Sequence, residues 1–332
     1  MVLTANAPIE SAPLALTDLP APIPGPGQVR LKVRCCAVCR TDLHVIEGDL
    51  PPQKLPLVPG HQIVGVVDRL GPGCRRFAVG QRVGAAWLRH TCGRCRFCTS
   101  GRENLCEHSQ FTGYHADGGY AEYAVVEEDF AYAIPSGFDD VAAAPLLCAG
   151  IVGYRALKRA GVPDGGRLAI YGFGSSAHVV MPIALHRKCE VYVVTRDAGH
   201  RALAAEMGAT WVGDDAAKLP VAVDSAIVFA PVGTLVPVAL SKLDKGGTAA
   251  IAGIHMTPIP QMDYAECLFH ERDLRSVTAN TRQDGRELLE LAAAIPIRPR
   301  TTTYRLDQAN QALVDLKADR ICGTGVLIVG ED

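Results

Sequence analysis

Two hydrophobic patterns divide the chain. In the first half, apolar positions fall in short, strand-length runs. Gln28–Cys36 (QVRLKVRCC) alternates apolar and polar residues, and Gln62–Leu70 (QIVGVVDRL) is β-branched and closed by the turn Gly71-Pro72-Gly73. Val79–Leu88 and Gly119–Val126 add two more strand regions. The first 145 or so residues therefore read as all-β, with long loops between strands. From Gly165 strands and helices alternate. Arg167–Tyr171 is a buried strand followed by a helix through His186; Glu190–Thr195 is a strand followed by a helix over His200–Met207. Strands at Ala226–Phe229 and Thr248–Ala252 flank a helix at Leu235–Leu243. This order predicts a parallel, doubly wound sheet. The tail reads as a helix at Asp284–Ala294, a strand at Thr301–Arg305, a helix at Gln308–Ala318 and a strand at Gly325–Val329. Periodicity leaves open whether these extend the second sheet or return to the first half.

At 332 residues, two domains are expected. Charged residues make up 20%, the net charge is −2 and the pI about 6.5, which argues against a nucleic-acid groove or a membrane-binding surface. No apolar run approaches the roughly 18 residues of a membrane span, and the start lacks the basic-then-apolar order of a signal peptide. Twelve cysteines without such a signal suggest a reducing, cytoplasmic setting and metal ligation in place of disulfides.

The chemistry concentrates in three stretches. Cys39 to His61 begins with a thiol and ends with an imidazole, with Thr41, Asp42 and His44 between them. A catalytic zinc needs three protein ligands and an open position, and Cys148 in APLLCAG is the best third candidate. Taken singly, each of these is as readily a buried thiol or a hydrogen-bonded loop histidine. Cys92, Cys95, Cys98 and Cys106 follow a C-x2-C-x2-C-x7-C spacing, which suits a closed, all-thiolate structural zinc site and departs from the ferredoxin pattern. Gly172-Phe-Gly174-Ser175-Ser176-Ala177 follows the first strand of the alternating half as G-x-G-x-x-A. That is a dinucleotide turn, with the pyrophosphate expected at the helix N-terminus.

Together with CRTDLH, PLVPGH, DGGYAEY and YGFGSS, these features resemble the zinc-dependent alcohol dehydrogenases of the medium-chain dehydrogenase/reductase superfamily, over essentially the whole chain. The resemblance implies an α/β protein. A GroES-like, mostly-β catalytic domain would span 1–147 and a Rossmann doubly wound parallel sheet 148–282, with 283–332 returning to the catalytic domain. It implies two zinc ions per chain: a catalytic one on Cys39, His61 and Cys148, and a structural one on Cys92, Cys95, Cys98 and Cys106. It further implies hydride transfer between a nicotinamide cofactor and a primary alcohol or aldehyde in a homodimer or homotetramer. The proton would pass from Thr41 through the cofactor ribose to His44, while Asp42 orients His61 or caps the helix starting near it. Arg40 matches a pyrophosphate contact, Trp87 matches a substrate-pocket wall or a core residue, and Leu50 leaves that pocket roomier.

Three positions depart from the family pattern. Gln62 replaces a glutamate proposed to approach the zinc during ligand exchange. Thr324 replaces an arginine on the pyrophosphate. Thr195 and Arg196 stand where an NAD-selecting acid is expected, so NADP(H) is the expected cofactor, with NAD(H) the alternative. A non-catalytic zinc module of this fold would lack Thr41, His44 or a ligand. A quinone or enone reductase would lack the zinc sites, and a polyol dehydrogenase would carry glutamate in place of Cys148.

Overall fold

The computed structural model describes residues 1–330 other than Pro296. Two compact units are present, and the chain leaves the first and comes back to it. One comprises Met1–Cys148, Ala279–Ala294 and Arg298–Asp332; the other comprises Ala149–Thr278 and Ile295–Ile297.

The first unit is built on a seven-stranded sheet whose central strand is Gln28–Ala37. Its inward residues Val29, Leu31 and Val33 are at most 1% exposed, as the alternation predicts. One edge of this strand pairs with Gln62–Leu70 along most of its length. The other edge is shared: its first half pairs with Tyr123–Glu127 and its last residues, Cys35 to Ala37, pair with Thr324–Ile328. The tail's last strand therefore completes the sheet beside the point where the chain runs on to Cys39. The helix Ala309–Lys317 lays Ala309, Ala312 and Leu313 into the same core.

This unit is less purely β than its pattern suggests. An eight-residue helix, Arg40–Glu47, follows Cys39 directly, and Gly48 ends it in the left-handed conformation. The stretch read as one strand region, Val79–Leu88, is split into Arg82–Ala85 and Leu88–His90, with Trp87 in the break.

The second unit is a six-stranded parallel sheet in the order Trp211–Gly213, Glu190–Val194, Arg167–Tyr171, Val223–Val228, Leu243–Ile251, Asp273–Ser276. This is the Rossmann order, with the first strand of the unit at the switch point. Leu168, Ala169 and Ile170 are all fully buried, as expected of a strand covered on both faces. Both outer strands escape sequence analysis, because they are three and four residues long and half-exposed. So does the helix Ala149–Ala160, whose two glycines weaken its pattern. Gly153 there is needed for packing: a Cβ would stand 2.6 Å from Val180 and 3.0 Å from the Ser176 carbonyl. Among the described residues no single helix is long and apolar enough to cross a membrane.

Candidate active site

Three segments of the first unit deliver one donor atom each. Cys39 caps the Arg40–Glu47 helix; its Sγ accepts from Thr41 N at 3.3 Å, while Asp42 reaches back to accept from Cys39 N at 2.8 Å. His61 follows Gly60, whose φ of +92° is open to glycine alone at low cost, because a Cβ there would lie 2.3 Å from the Tyr120 ring. Cys148 follows the fully buried turn Ala144–Leu147. His61 Nε2 sits 3.3 Å from the sulfur of Cys39 and 3.3 Å from that of Cys148. Tetrahedral zinc, with bonds of about 2.3 Å to sulfur and 2.0–2.1 Å to nitrogen, places sulfur and nitrogen roughly 3.5 Å apart. The cluster is thus already close to the size of a zinc site.

The other ring nitrogen, His61 Nδ1, faces Asp42 Oδ1 at 3.0 Å, and both side chains are almost wholly buried. Asp42 therefore does both things expected of it, capping the helix and holding the imidazole. Burial alone would lower the His61 pKa, but the charges of Cys39 and Asp42 outweigh it and raise the ring to about 10. The hydrogen bond from Cys148 and the neighbouring His61 hold the Cys39 thiol far below its ordinary value despite burial. A metal held by these three atoms would need thiolate sulfur and an unprotonated His61 Nε2, so its uptake would release protons.

Around the trio, Trp87 is 9% exposed and meets the His61 ring edge-on at 4.9 Å. It stacks on Phe111 and Tyr114, with Leu50 against the same cluster. Gln62, beside His61, is fully buried, and neither its Nε2 nor its Oε1 has a hydrogen-bond partner among the described residues. Thr41 and His44 lie three positions apart on the helix, and so on one face. His44 Nδ1 is 2.8 Å from Asp49 Oδ2. Arg40 pairs with Asp319, both largely exposed. Thr324 is buried at the start of its strand.

The four sulfurs of Cys92, Cys95, Cys98 and Cys106 gather with every pair within 4.8 Å. Backbone N–H groups of Arg94 and Cys95 pull the Cys92 thiol down to about 6. Glu103, inside this loop, accepts from Arg282 N at 2.8 Å and from its guanidinium at 2.6 and 3.0 Å. That pair ties the loop to the helix Arg282–Ala294, a link that no local pattern encodes, since the partners are 179 positions apart.

In the second unit, Gly172 has a φ of +90°, and a Cβ there would meet Ala230 N at 2.9 Å. Gly174, the cap of the helix Ser175–His186, has nothing within 4 Å of its Cβ position, and Ala177 is fully buried where the helix meets the sheet. The turn thus leaves open space beside Gly174 at the start of the helix. After the second strand, Thr195 is 8% exposed and Arg196 is exposed. Asp197 does not pair with Arg196; it caps the next helix by accepting from His200 N at 2.7 Å. Arg201, which sequence analysis passes over, folds back onto the carbonyls of Thr195 and Arg196.

Residues 25–136 match the family profile "Alcohol dehydrogenase GroES-like domain", and residues 177–294 match "Zinc-binding dehydrogenase". A protein of Mycobacterium tuberculosis described as "Probable alcohol dehydrogenase AdhA" is 50% identical over 327 residues, covering 97% of this chain and 94% of its own length. The chain belongs to the zinc-type alcohol dehydrogenases of the medium-chain superfamily. Two solved structures share the fold. A sorghum cinnamyl alcohol dehydrogenase superposes with a TM-score of 0.90 at 27% identity, covering 98% of this chain and 96% of the other. Acetophenone reductase from Geotrichum candidum in complex with NAD gives 0.87 at 26%, covering 99% and 96%.

Proposed function

We propose that this alcohol dehydrogenase interconverts a primary alcohol and its aldehyde with NADP(H), using one catalytic and one structural zinc per chain. The observation that carries the reading is the Cys39–His61–Cys148 trio with Asp42 on the far nitrogen of His61. Two thiols and an imidazole of this spacing fit a catalytic zinc, and the four-cysteine loop fits a structural one. When bound, the catalytic zinc polarises the substrate oxygen as a Lewis acid, and the nicotinamide takes or gives the hydride.

The chain's own groups do the rest. The Thr41 hydroxyl receives the alcohol proton. His44, on the same helix face with a side chain about one-fifth exposed and hydrogen-bonded to Asp49, carries it toward water. Trp87 and Leu50 shape an apolar wall beside the reacting carbon. The glycine turn and the N-terminus of the helix Ser175–His186 receive the pyrophosphate, as the G-x-G-x-x-A pattern suggests. NADP(H) is favoured by Arg196, which among the described residues has no ion pair, and by the absence of an acid at Thr195. The likeness to an NAD complex does not bear on these residues.

The protein assembles as a homodimer or homotetramer. Support comes from the second sheet: Asp273–Ser276 is an edge strand, and Tyr264 and Phe269, which precede it, are 66% and 60% exposed. A second copy pairing edge to edge would cover both, and light scattering at a single-chain mass would sink that reading.

Metal analysis together with turnover tests the whole. Wild type carries two zinc ions and oxidises a simple primary alcohol. Cys39→Ser stays folded and binds cofactor but loses one zinc and its turnover; Cys92→Ser loses stability, because a structural site contributes folding free energy. Normal turnover by metal-free Cys39→Ser would overturn the assignment.

A further inference from the structure

Tyr120 is, with Tyr171, the largest fully buried side chain among the described residues, and it has one polar atom to satisfy. Its hydroxyl donates to Asp42 Oδ2 at 3.0 Å. Asp42 thereby collects three donors from three segments: the backbone N–H of Cys39, the Nδ1–H of His61 and the phenol of Tyr120. Two of these belong to residues that supply candidate zinc ligands. The third has no other side-chain hydrogen bond among the described residues, and desolvation together with the charge of Asp42 raises its pKa, so it remains a donor.

Tyr120 is also held with unusual completeness. Gly118 N, Gly119 N and Tyr120 N donate to the carbonyls of Val58, Gly60 and Pro59 at 2.7, 3.0 and 3.0 Å, which laces this turn to the residues just before His61. A Cβ at Gly119 would meet Ile63 at 2.5 Å and the Cys36 sulfur at 2.9 Å. With the Tyr120 ring pressed on Gly60, the two glycine positions allow the phenol a single approach to the carboxylate. The motif DGGYAEY thus carries its function in its glycines and its hydroxyl together.

We propose that Tyr120 is a positioning residue of the catalytic zinc site. Its hydroxyl locks the Asp42 carboxylate, and through it the ring orientation and tautomer of His61 and the backbone of Cys39. The proposal rests on the zinc assignment above and concerns how tightly that site holds its ion. A tyrosine that merely filled the core would lose little when only its oxygen is removed.

The test uses the holoprotein loaded with cobalt in place of zinc, following the visible d–d spectrum and the release of metal to a chromogenic chelator. Tyr120→Phe keeps the ring. It is expected to release the catalytic-site metal at least about tenfold faster than wild type and to shift its spectrum, with structural-site release unchanged. 4-Aminophenylalanine at position 120, which restores a para donor, should return the rate toward wild type and covers the case in which Tyr120→Phe folds poorly. Tyr120→Phe added to Asp42→Asn should cost little further, since the two act as one unit. A wild-type release rate and spectrum in Tyr120→Phe would overturn the proposal while leaving the zinc assignment standing. A wild type with no metal at Cys39, His61 and Cys148 would overturn both.

Discussion

Gln62 is fully buried directly beside His61. Its amide has no hydrogen-bond partner among the described residues, which costs about 1–3 kcal/mol. An amide is a weaker incoming ligand for zinc than a carboxylate, and it leaves the site less negative. Gln62→Glu should therefore keep two zinc ions, speed product release at least about threefold, and lower Tm, because a carboxylate without donors is costlier to bury than an amide. Stopped-flow kinetics separates release from hydride transfer; unchanged rates for both would remove any functional reading of this position. The residues that stand out in the sequence are those whose chemistry is scarce: thiols, imidazoles and acids at ligand spacing. Tyr120 and Arg201 do not stand out, because a tyrosine among glycines and an arginine on a helix declare nothing until the fold brings their polar ends to Asp42 and to the Thr195 and Arg196 carbonyls.

At the scale of elements, periodicity marks the long buried strands and the first helix of the nucleotide turn. It fails where strands are short and half-exposed, as at Trp211–Gly213 and Asp273–Ser276, and where a turn interrupts a run, as at Trp87. Those elements are held by neighbours distant in sequence, so no local pattern encodes them. The junction after Glu190–Val194 is legible in part. The missing acid can be read directly, whereas the partner of Asp197 cannot: it caps the following helix, leaving Arg196 exposed and without an ion pair among the described residues. The expected outcome is kcat/KM at least about tenfold higher with NADPH than with NADH on one aldehyde. Arg196→Ala should reduce the NADPH value about ten- to a hundredfold, consistent with loss of a charge-assisted contact worth about 1.5–3 kcal/mol, and leave the NADH value nearly unchanged. Preference for NADH in wild type, unmoved by the substitution, would rule the assignment out.

The molecule as a whole is organised by a chain that returns. Gln28–Ala37 pairs with strands from both the early and the final parts of the sequence, and the sheet that carries Cys39 is finished only when Thr324–Ile328 joins it. The pattern of the tail cannot reveal this, since pairing partners lie about 290 positions apart. A second link of the same kind is Glu103 with Arg282, binding the four-cysteine loop to the helix that opens the returning segment. Desolvation pushes the Glu103 pKa up, but hydrogen bonds from the Arg282 side chain and backbone outweigh it, so the carboxyl titrates below its ordinary value. A folded-state pKa depressed in this way stabilises above the unfolded value, about 4.3, and that contribution fades as pH falls through the lower folded value. Glu103→Gln should thus cost about 1–3 kcal/mol near neutral pH, since the Arg282 side chain is left about 30% exposed and loses its charged partner. The gap between wild type and variant should narrow steadily below about pH 4.5. Urea unfolding of both proteins from pH 7 to pH 3.5 measures it, with acid loss of metal common to the two. A gap that is constant with pH, or absent at pH 7, would mean that the loop is held to the returning helix by packing alone, with no stabilisation from this ion pair.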